Sequence, residues 1–172
     1  SAVPAALHRA RSTPLVGRSG ELDRLGAEWE RAALGNGGVV IVTGDAGIGK
    51  TRLAMHVAAD VMDAYPDGVW FVDLAPLSDA RLVPQAVASV LGVKESPGLS
   101  VQDAVLAFAR ERQFLLVLDN CEHVVQACAD VARQLLEAGA GVTILASSRE
   151  ALNVRGERVY PLAPLLVPTP EA

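Results

Sequence analysis

Residues Gly44-Asp45-Ala46-Gly47-Ile48-Gly49-Lys50-Thr51 complete the pattern G-x-x-x-x-G-K-[ST], whose residue types and spacing suit the capture of a phosphate chain. Glycines let the backbone curl so that successive N–H groups point inward at an anion. Lys50 would reach the β- and γ-phosphates, and the Thr51 hydroxyl would ligate Mg2+. Only Lys50 and Lys94 among the 15 basic residues are lysines, the other 13 being arginines. A guanidinium is a planar fork, whereas an ammonium is a compact charge that fits inside a curled loop. A lysine kept here, in a chain that otherwise uses arginine, points to a specific demand. Gly44, Asp45, Ala46, Gly47, Ile48, Gly49, Lys50, Thr51 and Arg52 form the candidate phosphate-binding set, although Arg52 faces either the phosphates or solvent.

A second constellation lies further along. Leu115-Leu116-Val117-Leu118 is an apolar run ending in Asp119, the arrangement of a Mg2+-positioning aspartate. Mg2+ keeps several of its waters, so Asp119 acts directly or through one of them, with Thr51 as the other metal residue. Where many nucleotidases carry a second acid directly after the first, this chain has the neutral Asn120, which predicts slow hydrolysis suited to a switch. Glu122 is the nearest carboxylate able to orient or deprotonate an attacking water; its alternative is decoration of a helix first turn. His123 reads as a packed or capping residue. Arg149, after Ser147-Ser148, either senses a terminal phosphate or caps a strand end. Asp73 reads as structural. The candidate catalytic residues are thus Lys50, Asp119, Glu122 and Arg149.

The elements that must position these groups alternate. Gly38–Thr43 is a β-branched strand running into the loop, and Arg52–Val61 a helix with an apolar stripe at Leu53, Ala54, Val57, Ala58 and Val61. Before them, Ser19 caps a helix that ends around Leu34. Tyr65-Pro66-Asp67-Gly68 is a turn, followed by a strand over 69–73, a helix over 79–91 and a capped helix over 100–111. A strand over 114–118 reads as buried on both faces. A helix over 122–138, a strand over 142–146 and a last strand over 157–160 complete the order. Strands alternating with helices predict an α/β fold, a mostly parallel five-stranded sheet with helices on both faces.

The 172 residues suit one domain, with 1–13 as a lead, 14–165 as the nucleotide-binding unit and 166–172 as a proline-rich exit. The first residue is Ser1, so the chain is expected to be an excised or tagged segment. No run approaches the roughly 18–20 apolar residues of a membrane span, and the start has no signal-peptide core. A net charge of −5 argues against direct nucleic-acid contact. Cys121 and Cys128, seven apart in a predicted helix, read as packed, reduced thiols of a cytoplasmic protein, about 10.5 Å apart along the axis.

Taken together, these segments resemble the nucleotide-binding domain of the STAND class of signal-transduction ATPases, related to NB-ARC domains. The resemblance is closest to bacterial transcriptional regulators of the AfsR/SARP and large LuxR-type groups. The matching pieces are residues 15–18, 44–54, 67–77, 115–123, 144–150 and 156–165. The resemblance implies a three-layer P-loop NTPase of ASCE type, with the 142–146 strand between the 39–43 strand and the Asp119 strand. It implies Val16, Gly17 and Arg18 on the adenine side, Arg149 as first sensor, and ATP/ADP with Mg2+ in preference to GTP. Helical and winged-helix subdomains are implied beyond the C-terminal end. The expected partners are an adenine nucleotide, those flanking and effector domains, and further copies in a nucleotide-dependent oligomer. Two alternatives are a non-hydrolysing nucleotide-holding module and a small P-loop kinase; the arginine-rich lid of the latter is not evident.

Overall fold

The computed structural model of the chain describes residues 20, 23–27, 29, 38–45 and 49–162. The expectations for Ser19, Val16, Gly17, Arg18, Ala46, Gly47, Ile48, the 1–13 lead and the 166–172 exit fall outside those residues. Nine elements position the site: β1 (Gly38–Thr43), α1 (Lys50–Val61), β2 (Val69–Asp73), α2 (Val83–Leu91), α3 (Val101–Ala109), β3 (Phe114–Asp119), α4 (Val125–Ala138), β4 (Val142–Ser148) and β5 (Arg158–Pro161). Helical residues at 23–27 and 29 precede β1, with Leu25 and Trp29 buried.

The sheet runs β2-β3-β4-β1-β5, and every pairing is parallel. The strand expected between the loop strand and the Asp119 strand is there as β4. Each position of β3 and β4 is buried, which is why apolar residues fill successive positions there rather than alternate ones, with Asp119 ending β3 and Thr143, Ser147 and Ser148 as the buried polar residues of β4. Successive side chains alternate between two cores. Val39, Ile41, Leu116, Leu118 and Ile144 pack with Val87, Leu91, Val105 and Leu135 of α2, α3 and α4. Val40, Val42, Leu115, Val117 and Leu145 pack with Leu53 and Val57 of α1, together with Leu25 and Trp29. Full burial of one such aliphatic side chain stabilises by roughly 1.5–3 kcal/mol, so these layers fix the sheet. The register then aligns the strand tips: Asp73 faces Asp119, Leu118 faces Ala146, and Thr43 faces Ser148. None of the helices among the described residues is long and apolar enough to cross a membrane.

Four helices differ from expectation at their ends, the first being α1, which begins at Lys50 rather than Arg52. The 79–91 segment begins as a 3-10 turn, Ala80–Leu82, capped where the Arg81 N–H donates to Asp79 Oδ1 at 2.9 Å, and only then becomes α2. α3, capped by Ser100, stops at Ala109 rather than 111. The 122–138 helix is broken in two: Asn120 is left-handed (φ 62°), Cys121–His123 forms a 3-10 turn, and Val124 (φ −138°) leaves the helical region before α4 begins. The cysteine spacing argument therefore fails, because Cys121 lies off the α4 helix. Both thiols are free and buried, and Cys121 Sγ donates to Leu118 O at 3.4 Å. The neighbouring Cys128 thiol, and then burial, push the Cys121 thiol well above its ordinary pKa.

Candidate functional site

The loop closes onto the start of α1. Gly44 (φ 152°) and Gly49 (φ 95°) take backbone conformations that side chains disfavour and glycine adopts freely. Gly49 caps α1, and its carbonyl accepts the first helical bond from the Leu53 N–H at 3.0 Å. Lys50 is thereby the first helical residue, and it is only 6% exposed. Its Nζ donates to Gly44 O at 2.5 Å and lies 3.5 Å from Glu122 Oε1. A buried ammonium is costly unless it is paired, and these two acceptors pair it. Glu122 Oε2 is buried and has no donor among the described residues. Glu122 thus stands in the 3-10 turn against Lys50, not as decoration on a helix.

Asp119 occupies the tip of β3 and is almost wholly buried. Thr51 Oγ1 donates to its carboxylate, lying 3.0 Å from Oδ1 and 2.9 Å from Oδ2. Ser147 Oγ, at the tip of β4, donates to Oδ1, and Asn120 Nδ2 donates to Oδ2 at 3.1 Å. Asn120 Nδ2 also reaches Asp73 Oδ1 at 3.1 Å, and its backbone N–H donates to Ser147 Oγ at 3.0 Å. A hydroxyl and a carboxylate side by side are hard oxygen donors, the chemistry that Mg2+ prefers when phosphates and waters complete its shell. The buried Lys50 ammonium fits a phosphate beside it, and the orphaned Glu122 oxygen, an acceptor, fits a water that donates to it. Thr51 and Asp119 would hold Mg2+; Lys50 would hold the phosphates.

Burial raises the Asp119 pKa; the Ser147 and Thr51 hydrogen bonds pull it back, and the Asp73 and Glu122 charges add to the rise. A carboxyl raised above its unfolded value costs stability at neutral pH. That penalty fades as pH falls through the folded pKa and is gone below the unfolded one. Asp119→Asn removes the penalty while its amide oxygen can still accept from Thr51 and Ser147. Its melting temperature is expected to change less than the parent's between pH 7 and 4, while at pH 7 the lost penalty is offset by an amide nitrogen that faces the Asn120 Nδ2 donor. The added stabilisation by ADP with Mg2+ should be lost. A melting temperature that varies between pH 7 and 4 as much as the parent's would refute the burial penalty.

Other expected residues stand apart. Arg149 follows β4 directly, is exposed and has no partner among the described residues. Arg52 and Asp45 are also exposed, and His123, expected to be packed or capping, is exposed instead. Two contributors were not assigned a role from sequence. Ser147 holds Asp119, and Asp73, read as structural, holds Asn120. Their signal was faint: a polar residue inside the wholly buried β4, and an acid at the tip of a second strand.

Comparison with known proteins covers most of the chain. A family described as "AAA ATPase domain" matches residues 14–145. A Mycobacterium tuberculosis protein named "Putative HTH-type transcriptional regulator" is 42% identical over 127 residues, 74% of this chain and 14% of its own length. "Regulatory protein AfsR" of Streptomyces griseus is 33% identical over 145 residues, 78% of this chain and again 14% of its own. This chain therefore spans a small part of those relatives. Among solved structures, the Aeropyrum pernix ORC2 protein superposes with a TM-score of 0.64 at 17% identity, covering 86% of this chain and 48% of that one. A STAND protein with a tetratricopeptide repeat sensor from Pyrococcus horikoshii gives 0.52 at 20% identity, covering 86% and 23%. Both likenesses are of fold.

Proposed function

The chain belongs to the AAA ATPase domain family, and we propose that it is an ATP- and ADP-binding switch module with slow Mg2+-dependent hydrolysis, inside a larger cytoplasmic regulator. The observation that carries this reading is the meeting of Lys50, Glu122, Thr51 and Asp119 at one corner, drawn from two segments whose paired residues are 72 and 68 apart in sequence. In it, residues 44–52 hold the phosphates, Val16, Gly17 and Arg18 line the adenine, and 14–165 is the nucleotide-binding unit. Mg2+, when bound by Thr51 and Asp119, neutralises phosphate charge. Once the phosphates engage Lys50, Glu122 Oε1 is released from its pair, and the carboxylate is free to accept a proton from water. Arg149, exposed at the end of β4, serves as the sensor of the terminal phosphate. The length of the transcriptional-regulator relatives supports flanking domains, here helical, winged-helix and effector domains, as partners. Further copies in a nucleotide-dependent oligomer are the other partner in this reading.

A second reading, a module that holds nucleotide without hydrolysing it, is favoured by Asn120, whose amide is committed to two carboxylates and activates nothing. Calorimetric titration with Mg2+ is expected to show ATP and ADP binding and no GTP binding. Glu122→Gln should retain ADP affinity while phosphate release falls by roughly 10²–10⁴-fold, the range of a lost general base. The same background release from the parent, Lys50→Ala and Glu122→Gln would move the assignment to the non-hydrolysing reading. No binding of either adenine nucleotide would remove both.

A further inference from the structure

At the tips of β2, β3 and β4 lie Asp73, Asp119 and Ser147, and Asn120 bonds to all three. Asp73 and Asp119 are register partners on adjacent parallel strands, so their backbones are about 4.8 Å apart and both carboxylates stand at the same edge. Two carboxylates this close need a shared donor to hold fixed directions. A primary amide carries two N–H hydrogens on one nitrogen and can point one at each acid. Asn120 Nδ2 is 3.1 Å from Asp119 Oδ2 and 3.1 Å from Asp73 Oδ1. Serine, threonine or a second acid at this position would not offer that pair of donors. Asparagine also accepts the left-handed backbone (φ 62°, ψ 54°) that turns the chain out of β3.

The Asp119 carboxylate is thus gripped from both sides. Ser147 Oγ holds Oδ1 and Asn120 holds Oδ2, while the Asn120 backbone N–H fixes the Ser147 hydroxyl in turn. Asp73 is itself tied down, since its Oδ1 also accepts from the Ala75 N–H at 3.0 Å. We propose that Asn120 is a positioning residue for Mg2+ binding, setting the direction of the Asp119 carboxylate with Asp73 as its anchor on the neighbouring strand. The inference rests on the nucleotide reading above and deepens it. Partners that orient a metal-binding carboxylate typically account for about 10–100-fold in metal affinity.

Asn120→Gly tests this, because glycine keeps the left-handed backbone and removes only the amide. ADP binding by the chain is measured at a series of Mg2+ concentrations and again in EDTA, with a thermal melt of each variant. Asn120→Gly is expected to need about tenfold more Mg2+ for half its effect on ADP affinity, with metal-free ADP affinity unchanged. Asp73→Ala should shift the Mg2+ requirement in the same direction. Asp73→Asn keeps an oxygen acceptor for Asn120 and should return it toward the parent. An unshifted requirement in Asn120→Gly overturns the inference while leaving the nucleotide reading intact. An equal loss of ADP affinity with and without metal also overturns it, since the site would then have collapsed generally. If Asn120→Gly melts too low to measure, the Asp73→Ala and Asp73→Asn pair decides, and equal requirements in the two overturn it. Absence of ADP binding by the parent chain, with or without Mg2+, overturns the nucleotide reading and this inference with it.

Discussion

Lys50→Ala is expected to lower ADP and ATP affinity by at least about 100-fold, the largest functional loss of any single substitution in this chain. Each charge-assisted hydrogen bond contributes roughly 1.5–3 kcal/mol, so the β-phosphate bond alone, near the top of that range, gives about 100-fold with ADP, and the γ-phosphate bond adds to it with ATP. The ammonium is already dehydrated, being 6% exposed and turned inward to Gly44 O, so little desolvation cost remains to be met on binding. Lys50→Arg should fail to rescue, because a planar fork does not fit where a compact ammonium sits against a backbone carbonyl at 2.5 Å. Lys50→Ala also leaves the Glu122 carboxylate, 13% exposed, without its cation. A stability loss of about 1–3 kcal/mol follows from that unpaired group, and adding Glu122→Gln should recover part of it. Calorimetry with ADP and a thermal melt read the two effects separately. Affinity in Lys50→Ala within threefold of the parent would end the phosphate-binding assignment.

Much of the scaffold was legible because its signals are local. The apolar runs 114–118 and 144–146 mark β3 and β4, and the glycine-lysine-threonine spacing marks the loop that leads into α1. The Asp119 position was legible for the same reason, as the polar end of a run. What could not be read depends on register between segments distant in sequence. Ser147 meets Asp119 only because β4 lies beside β3 with Leu118 opposite Ala146. Asp73 meets Asn120 only because β2 pairs with β3 at the same level. Periodicity also misled where a side chain overruled it. The 122–138 pattern is helical throughout, yet the left-handed Asn120 turns the chain out of β3 and Val124 interrupts the helix, so that Cys121 lies off the helix that carries Cys128. Glu122 moved for the same reason, from an expected helix turn to a buried position against Lys50.

Gly139→Ala is expected to be the most destabilising single-methyl change in the described structure. Gly139 ends α4 with φ −141°, an extended conformation open to any residue, so backbone strain is not the issue. The cause is space. A methyl there would lie 2.2 Å from the Ala109 carbonyl oxygen, 3.0 Å from its carbon and 3.3 Å from a Val142 methyl. Ala109 is the last residue of α3 and fully buried, and Val142 is the first residue of β4, so neither can step aside alone. The Phe114 N–H also donates to Gly141 O at 3.2 Å, pinning the same crossing from the β3 side. Overpacking of this kind typically costs 1–3 kcal/mol, and contact with backbone rather than a flexible side chain puts it at about 3 kcal/mol or above. For a domain of this size each kcal/mol shifts Tm by about 2–4 °C, giving a fall of roughly 6–12 °C. Gly26→Ala supplies the contrast, since a methyl there meets nothing within 4 Å. Its helical site should gain up to about 1 kcal/mol from the better helix former. The two variants make the same chemical change with opposite signs. A fall below about 3 °C for Gly139→Ala would mean that the end of α3 yields, and that the α3–β4 crossing does not hold β4, and Ser147 with it, rigidly against Asp119.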